Sequence, residues 1–216
     1  MAEKLFKIQT DKIENGTKLM YNNTALTSWT GDLPRLTDGS SMFNNCTNLT
    51  TFTSDLSSLQ DGYWMFYLCT NLESFSSSLS NLNNGGYMFS CCEALTSWNI
   101  DLPSLTNSSA MFSHCTALTT FNADLSSLTN GNAMFEGSSF LESFTSDLSS
   151  LTFGSSMFST CLSLTSFTSN LSSLTDGEWM FHLCSLDAPS VKNIALTINK
   201  TVTDNPRFDI GVDYNI

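Results

Sequence analysis

Basic residues are what this chain most lacks. Of 216 residues only 8 are Lys or Arg against 20 Asp or Glu, giving a net charge of −12, and no cation falls between Arg35 and Lys192. A phosphate backbone is held by cations that displace its counterions. An anionic bilayer surface is held by a basic or amphipathic face. Over that stretch neither is served, so nucleic acid and membrane insertion are excluded as partners, and the acidity reads as a contribution to solubility.

Long apolar runs are missing too. None approaches the ~18–20 residues of a membrane span, and the first ten residues have no continuous apolar core, so they are not expected to act as a secretory signal. Histidine is reduced to His114 and His182. In a repeat stacked at ~4.8 Å per copy these lie on the order of 14 Å apart. No nucleophile–base set or metal motif can be built from them, so no catalysis, cofactor or metal is expected.

The cysteines, 7 in all, form neither CxxC pairs nor a Cys/His zinc spacing. Cys46, Cys69, Cys92, Cys115, Cys161 and Cys184 each fall four residues after a Met, while Ser138 and Asn23 fill the equivalent slot elsewhere. One slot filled this way describes buried free thiols packing as small hydrophobes. Cys91 stands outside the column.

What the chain has in abundance is repetition. Met-Phe pairs recur at Met42, Met65, Met88, Met111, Met134, Met157 and Met180, always 23 residues apart. A fixed period in this range marks a solenoid. Apolar slots recur with it: Leu49, Phe52, Leu56, Leu59, Met65, Phe66 and Cys69 in one copy. The segment 50–54 is β-branched and aromatic, and predicts one short strand per copy. Residues 57–62, ending in Asp61-Gly62, read as a turn. The convex side is expected to be irregular or 3₁₀. The predicted fold class is therefore a mainly β repeat solenoid with a small α+β C-terminal cap.

The expected organisation is a capping half-repeat over 1–12, about seven copies over 13–186, and a cap over 187–216. At the N-terminus residues 5–8 read as an edge strand, with Lys4, Lys7 and Lys12 discouraging end-to-end stacking. Asp187 as cap, Pro189 in the first turn, and Val191, Ile194, Ala195 and Ile198 at helical spacing predict a helix over 187–199. Alternation of Ile194, Leu196 and Ile198 is the competing strand reading. Residues 208–216 alternate and read as a closing strand.

The order Cys-x-x-Leu-x-x-Phe-x-x-Asp-Leu-x-x-Leu-x-x-Gly-x-x-Met-Phe resembles the BspA-like leucine-rich repeats. That family has Ile-Pro where Asp55-Leu56 stands and Ala-Phe where Met65-Phe66 stands. Leu33-Pro34 and Leu102-Pro103 keep a trace of the proline. The resemblance spans roughly 13–187. It implies a leucine-rich-repeat stack and adhesion to, or binding of, protein or glycan, in an extracellular, cell-surface or virion setting. A spacer or assembly module of a larger particle, forming homo-oligomers through its ends, is the competing reading.

Three sets of residues are candidates for function. Asp32, Asp55, Asp101, Asp124 and Asp147 form a column expected to bond the local backbone; calcium is the alternative, without the glycine-rich repeat of calcium β-rolls. Flanking an inward Phe52, Thr51 and Thr53 should point outward, and Ser74, Ser76, Thr120 and Asn122 continue that array. It reads as a solvated face, a glycan-bonding surface, or an ice-binding ladder. Finally Tyr63, Trp64, Tyr67 and Tyr87 should meet across neighbouring copies, with Trp179 in the last copy. They are either a partner site or local packing on the convex ridge.

Overall fold

The computed structural model describes residues 10–198. The expected strands at 5–8 and 208–216, together with Lys4 and Lys7, lie outside the described residues. Lys12 ends a short 3₁₀ turn, Thr10–Lys12.

Seven strands follow at the repeat spacing: β1 (Ser28–Trp29), β2 (Thr51–Phe52), β3 (Ser74–Phe75), β4 (Ser97–Trp98), β5 (Thr120–Phe121), β6 (Ser143–Phe144) and β7 (Ser166–Phe167). Each is two residues long, narrower than the five-residue segment suggests. The aromatic of each strand is buried and the hydroxyl residue before it faces outward, half-buried only in β7. All pairing is parallel, in the orders β1-β2-β3 and β4-β5-β6-β7.

A second ladder runs unbroken past the gap between the two sheets. Parallel bridges join Asn15, Asp38, Asp61, Asn84, Asn107, Asn130, Phe153 and Asp176 in sequence. The Asp61-Gly62 segment is thus more than a turn. Asp61 Oδ1 accepts from the Tyr63 N–H at 2.9 Å, fixing the bend, while the backbone pairs with its neighbours and Asn84 Nδ2 donates to Asp61 at 3.2 Å. Gly62 in the next position makes room for the methionine of the following copy, since an added Cβ would lie 2.7 Å from Met88 Sδ; Ser108 fills the same slot two copies later and is buried.

The third side is a coil around each Met-Phe pair. The N–H groups of Gly39, Ser41, Phe43 and Asn45 donate to the carbonyls of Asp61, Tyr63, Met65 and Tyr67 in the following copy, at 2.7–2.9 Å. Between them Met42, Asn44 and Cys46 donate three residues back within their own copy. Every backbone donor of the coil therefore has a partner, as burial demands.

This pattern places two residues per copy in the left-handed region. One column is Lys18, Ser41, Trp64, Tyr87, Ala110, Ala133, Ser156 and Trp179; the other is Asn22, Asn45, Leu68, Cys91, His114, Gly137, Thr160 and Leu183. For L-residues that conformation costs about 1–2 kcal/mol each, and the bonds between copies hold it in place.

Two aromatic stacks fill the interior. Phe43, Phe66, Phe89, Phe112, Phe135, Phe158 and Phe181 lie nearly parallel at 5.2–5.7 Å. They meet the strand aromatics edge-on, Phe52 against Phe66 at 4.8 Å for example. The leucine slots around them are wholly buried. Each such side chain contributes roughly 1.5–3 kcal/mol, realised only when neighbouring copies cover it.

The cysteines are free, and the six column members are buried or nearly so. They also do more than pack. Each thiol donates to the carbonyl 26 residues earlier: Cys69 to Phe43 at 3.2 Å, Cys92 to Phe66 at 3.3 Å, Cys161 to Phe135 at 3.1 Å.

The last described element is α1 (Ala188–Thr197), a helix as the apolar spacing indicates and not the competing strand. Asp187 caps it by accepting from the Ser190 N–H at 2.9 Å. The buried face differs from expectation: Ser190 and Ile194 are buried, whereas Ala195 is exposed. The reason is polar. Ser190 Oγ accepts from the Phe167 N–H at 2.8 Å, and Asn193 Nδ2 donates to the Ser169 carbonyl at 2.9 Å. The helix needs hydrogen-bonding side chains on that face because it covers the otherwise unpaired edge of β7.

Candidate functional site

The left-handed columns turn side chains away from the interior; small ones such as Ser41 and Ala110 stay buried there, and large ones reach solvent. Met65 and Phe66 point inward and are fully buried, while Trp64, just before them at φ 58°, is turned outward and 39 % exposed. Tyr87 holds the same position one copy later and is 37 % exposed. Their rings meet at 6.0 Å. Tyr63 stacks on Trp64 at 4.8 Å, and Tyr67 lies 6.2 Å from Trp64. The four aromatics expected to cluster do so.

Three of them, Trp64, Tyr67 and Tyr87, line a groove of about 430 Å³ together with Tyr21, Asn22, Asn44, Asn45 and Leu68. Its origin is a difference in side-chain length. Tyr21, Asn44 and Tyr67 share one slot in successive copies, so the shorter Asn44 leaves a notch between two tyrosines. Asn22, Asn45 and Leu68 form the next column, with Asn45 Nδ2 donating to Asn22 Oδ1 at 2.9 Å. Lys18 lies over the Tyr21 ring at 5.8 Å. Sequence reasoning found the aromatic half of this site and missed the Asn half; the signal was the Tyr-Asn-Tyr alternation in one slot.

Tyr63 backs the groove without lining it. Trp179, five copies away, belongs to a separate pair: its ring meets His182 edge-on at 4.7 Å and its Nε1 donates to Glu178 at 3.1 Å. His114 packs instead over Gly137, where an added Cβ would stand 2.4 Å from its Nδ1. The two histidines share no site.

Thr51, Thr53, Ser74, Ser76, Thr120 and Asn122 are all exposed on the strand side, and none lines the groove. The outward array and the aromatic cluster are thus separate surfaces.

Three of the five members of the aspartate column bond local backbone as expected, whereas exposed Asp32 bonds no described residue. Asp55 Oδ1 accepts from the Ser57 N–H, Asp124 Oδ1 from the Ser126 N–H and Asp147 Oδ1 from the Ser149 N–H, each at 2.9 Å. Hydrogen bonds from Ser57 hold the Asp55 carboxyl below its usual range, and those from Ser126 do the same for Asp124. Asp101 reaches across copies to accept from the Asp124 N–H at 2.9 Å. Among the described residues no group of three or more His, Cys, Asp or Glu side chains is placed to hold a metal ion, and no helix is long and apolar enough to cross a membrane.

This architecture has relatives among solved structures. A leucine-rich cell surface protein of Faecalibacterium prausnitzii aligns at 26 % identity over 71 % of this chain and 42 % of its own, with a TM-score of 0.59. A leucine-rich repeat protein of Bacteroides ovatus aligns at 20 % identity over 80 % and 45 %, with a TM-score of 0.62. A T. pallidum leucine-rich repeat protein aligns at 18 % identity over 85 % and 76 %, with a TM-score of 0.55, and like the previous one it speaks to fold alone. The chain spans less than half the length of the first two. No curated protein matches it. The model of the BspA type leucine-rich repeat region matches at residues 18–139 and 85–205, in 6 copies. The chain belongs to the BspA-type leucine-rich repeat family.

Proposed function

We propose that this chain is a non-catalytic binding module that contacts a protein or glycan partner at a cell or particle surface through the groove beside Trp64 and Tyr87. The observation that carries this reading is the pair of outward-turned aromatics. The same left-handed slot is filled by Ser41, Ala110, Ala133 and Ser156 in other copies, so a protein that serves only as a spacer gains nothing from placing a tryptophan and a tyrosine there with their rings in water. Amphipathic aromatics concentrate binding energy at interfaces because they bury large area with little entropy loss. The likeness to a bacterial cell surface protein supports the setting.

The test is saturable binding of the labelled chain to host epithelial cells and to bacteria. Trp64→Gly and Tyr87→Gly suit the left-handed backbone at both positions, so they remove the rings and leave the fold intact. The reading expects binding that these variants abolish. A folded wild-type chain that binds no surface, and self-associates end to end at micromolar concentration, would replace it with the assembly-module reading.

A further inference from the structure

We infer that the groove is a site for a neutral saccharide, a step that rests on the binding reading above and names its ligand class. Asn44 is the key. It is only 6 % exposed, yet its carboxamide makes no hydrogen bond to any described residue; neither is it sealed in, since among the described residues the one enclosed side-chain polar atom without a partner is Ser169 Oγ. A nearly buried amide is costly to leave unpaired, and this one opens into the groove it lines.

The surrounding chemistry narrows the ligand. A carboxamide offers donors and an acceptor side by side, which matches adjacent sugar hydroxyls, each able to give and take a hydrogen bond. Asn45 and Asn22, bonded to each other, keep further donor and acceptor capacity at the same wall. Trp64, Tyr67 and Tyr87 supply the flat apolar faces on which the C–H side of a pyranose ring rests. None of the lining residues is charged; Lys18 stands over the Tyr21 ring at the rim, but the chain's net charge of −12 works against anionic sugars. A proline-rich peptide would also use aromatic rings, but its carbonyls need donors only and would leave the Asn44 acceptor unpaired.

The experiment is titration calorimetry of the full chain against lactose, cellobiose, maltose, chitobiose and N-acetyllactosamine, with sialyllactose and a proline-rich peptide as contrasts. The inference expects saturable millimolar or tighter binding of at least one neutral sugar, weaker binding of the sialylated one, and a loss of about tenfold or more in Trp64→Gly and Asn44→Ser. Serine stands in the Asn44 slot at Ser90, Ser113 and Ser159, so that variant keeps the fold. Phe140→Ser, at an exposed ring away from the groove, leaves affinity unchanged. No binding of any neutral sugar, binding indifferent to both groove variants, or preference for the peptide overturns it. Periodate treatment of target cells separates the two readings: cell binding that survives it but still needs Trp64 rejects the saccharide and keeps the binding module.

Discussion

The hydroxyl of Ser138 donates to the carbonyl of Phe112 at 2.7 Å, in the slot where Cys115 donates its thiol to Phe89 at 3.2 Å. The column is defined by a small side-chain donor, and cysteine is the version that also tolerates apolar surroundings. Cys115→Ser should therefore be nearly neutral, whereas Cys115→Ala should cost about 1 kcal/mol or more through the lost bond and the space left behind. Urea unfolding of the two variants checks the order; serine proving worse than alanine would show that packing alone matters.

The same burial governs thiol reactivity. Desolvation pushes the Cys184 thiol up to about 12 and raises those of Cys46, Cys69, Cys92, Cys115 and Cys161. Thiolate is the reactive form, so at pH 8 a chromogenic disulfide reagent should label Cys91 quickly in the folded chain and all 7 cysteines only after unfolding. Rapid labelling of Cys92 in the native state would contradict the buried column.

Left-handed positions give paired expectations of opposite sign. Ala133 sits at φ 54°, so Ala133→Gly should stabilise the fold by up to about 1 kcal/mol despite loosening the unfolded chain. Gly137→Ala should destabilise it, because its Cβ would collide with the His114 ring. Thermal melts of both variants read the two signs directly.

At the end of the stack, Ser190→Ala removes the acceptor of the Phe167 N–H and should cost about 1–3 kcal/mol. Low pH should act on the same junction. Hydrogen bonds from Ser190 hold the Asp187 carboxyl below the ordinary value of 3.8. Burial works against ionisation of Asp38, yet hydrogen bonds from Ser40, Thr17 and Asn15 outweigh it and lower it too. A depressed carboxyl contributes stability above its unfolded value and loses it as the pH falls through 3.8 toward the folded one. Unfolding free energy should thus decline below about pH 4, and Asp187→Asn, which still caps a helix, should flatten part of that slope in urea titrations at successive pH values.

The repeat made the architecture readable: a buried Phe52 beside an exposed Thr51 follows from period and alternation alone, and Asp187 and Pro189 announce α1. Harder to see were features that depend on how one copy meets the next. The thiol-to-carbonyl bonds link residues 26 apart, not 23, because the donor lies three residues further round the coil than its acceptor. Outward Trp64 beside inward Met65 requires a left-handed residue, and nothing in a tryptophan signals that conformation. The polar face of α1 escaped because apolar spacing reports only burial, whereas Ser190 is buried to serve a strand edge. The groove needed comparison down a slot, Tyr21 to Asn44 to Tyr67, in place of reading along the chain.

The helix α1 has one further meaning. By supplying Ser190 and Asn193 where another copy would present its own backbone, it sets the place at which counting stops, independently of how many copies precede it. The copies between the groove and α1 are interchangeable in geometry, each advancing the stack by one aromatic spacing of 5.2–5.7 Å. Duplicating or deleting a 23-residue unit there would change the distance between the groove and α1 in fixed increments while both stay intact, so this part of the chain is built as a graduated ruler whose length can evolve without touching either.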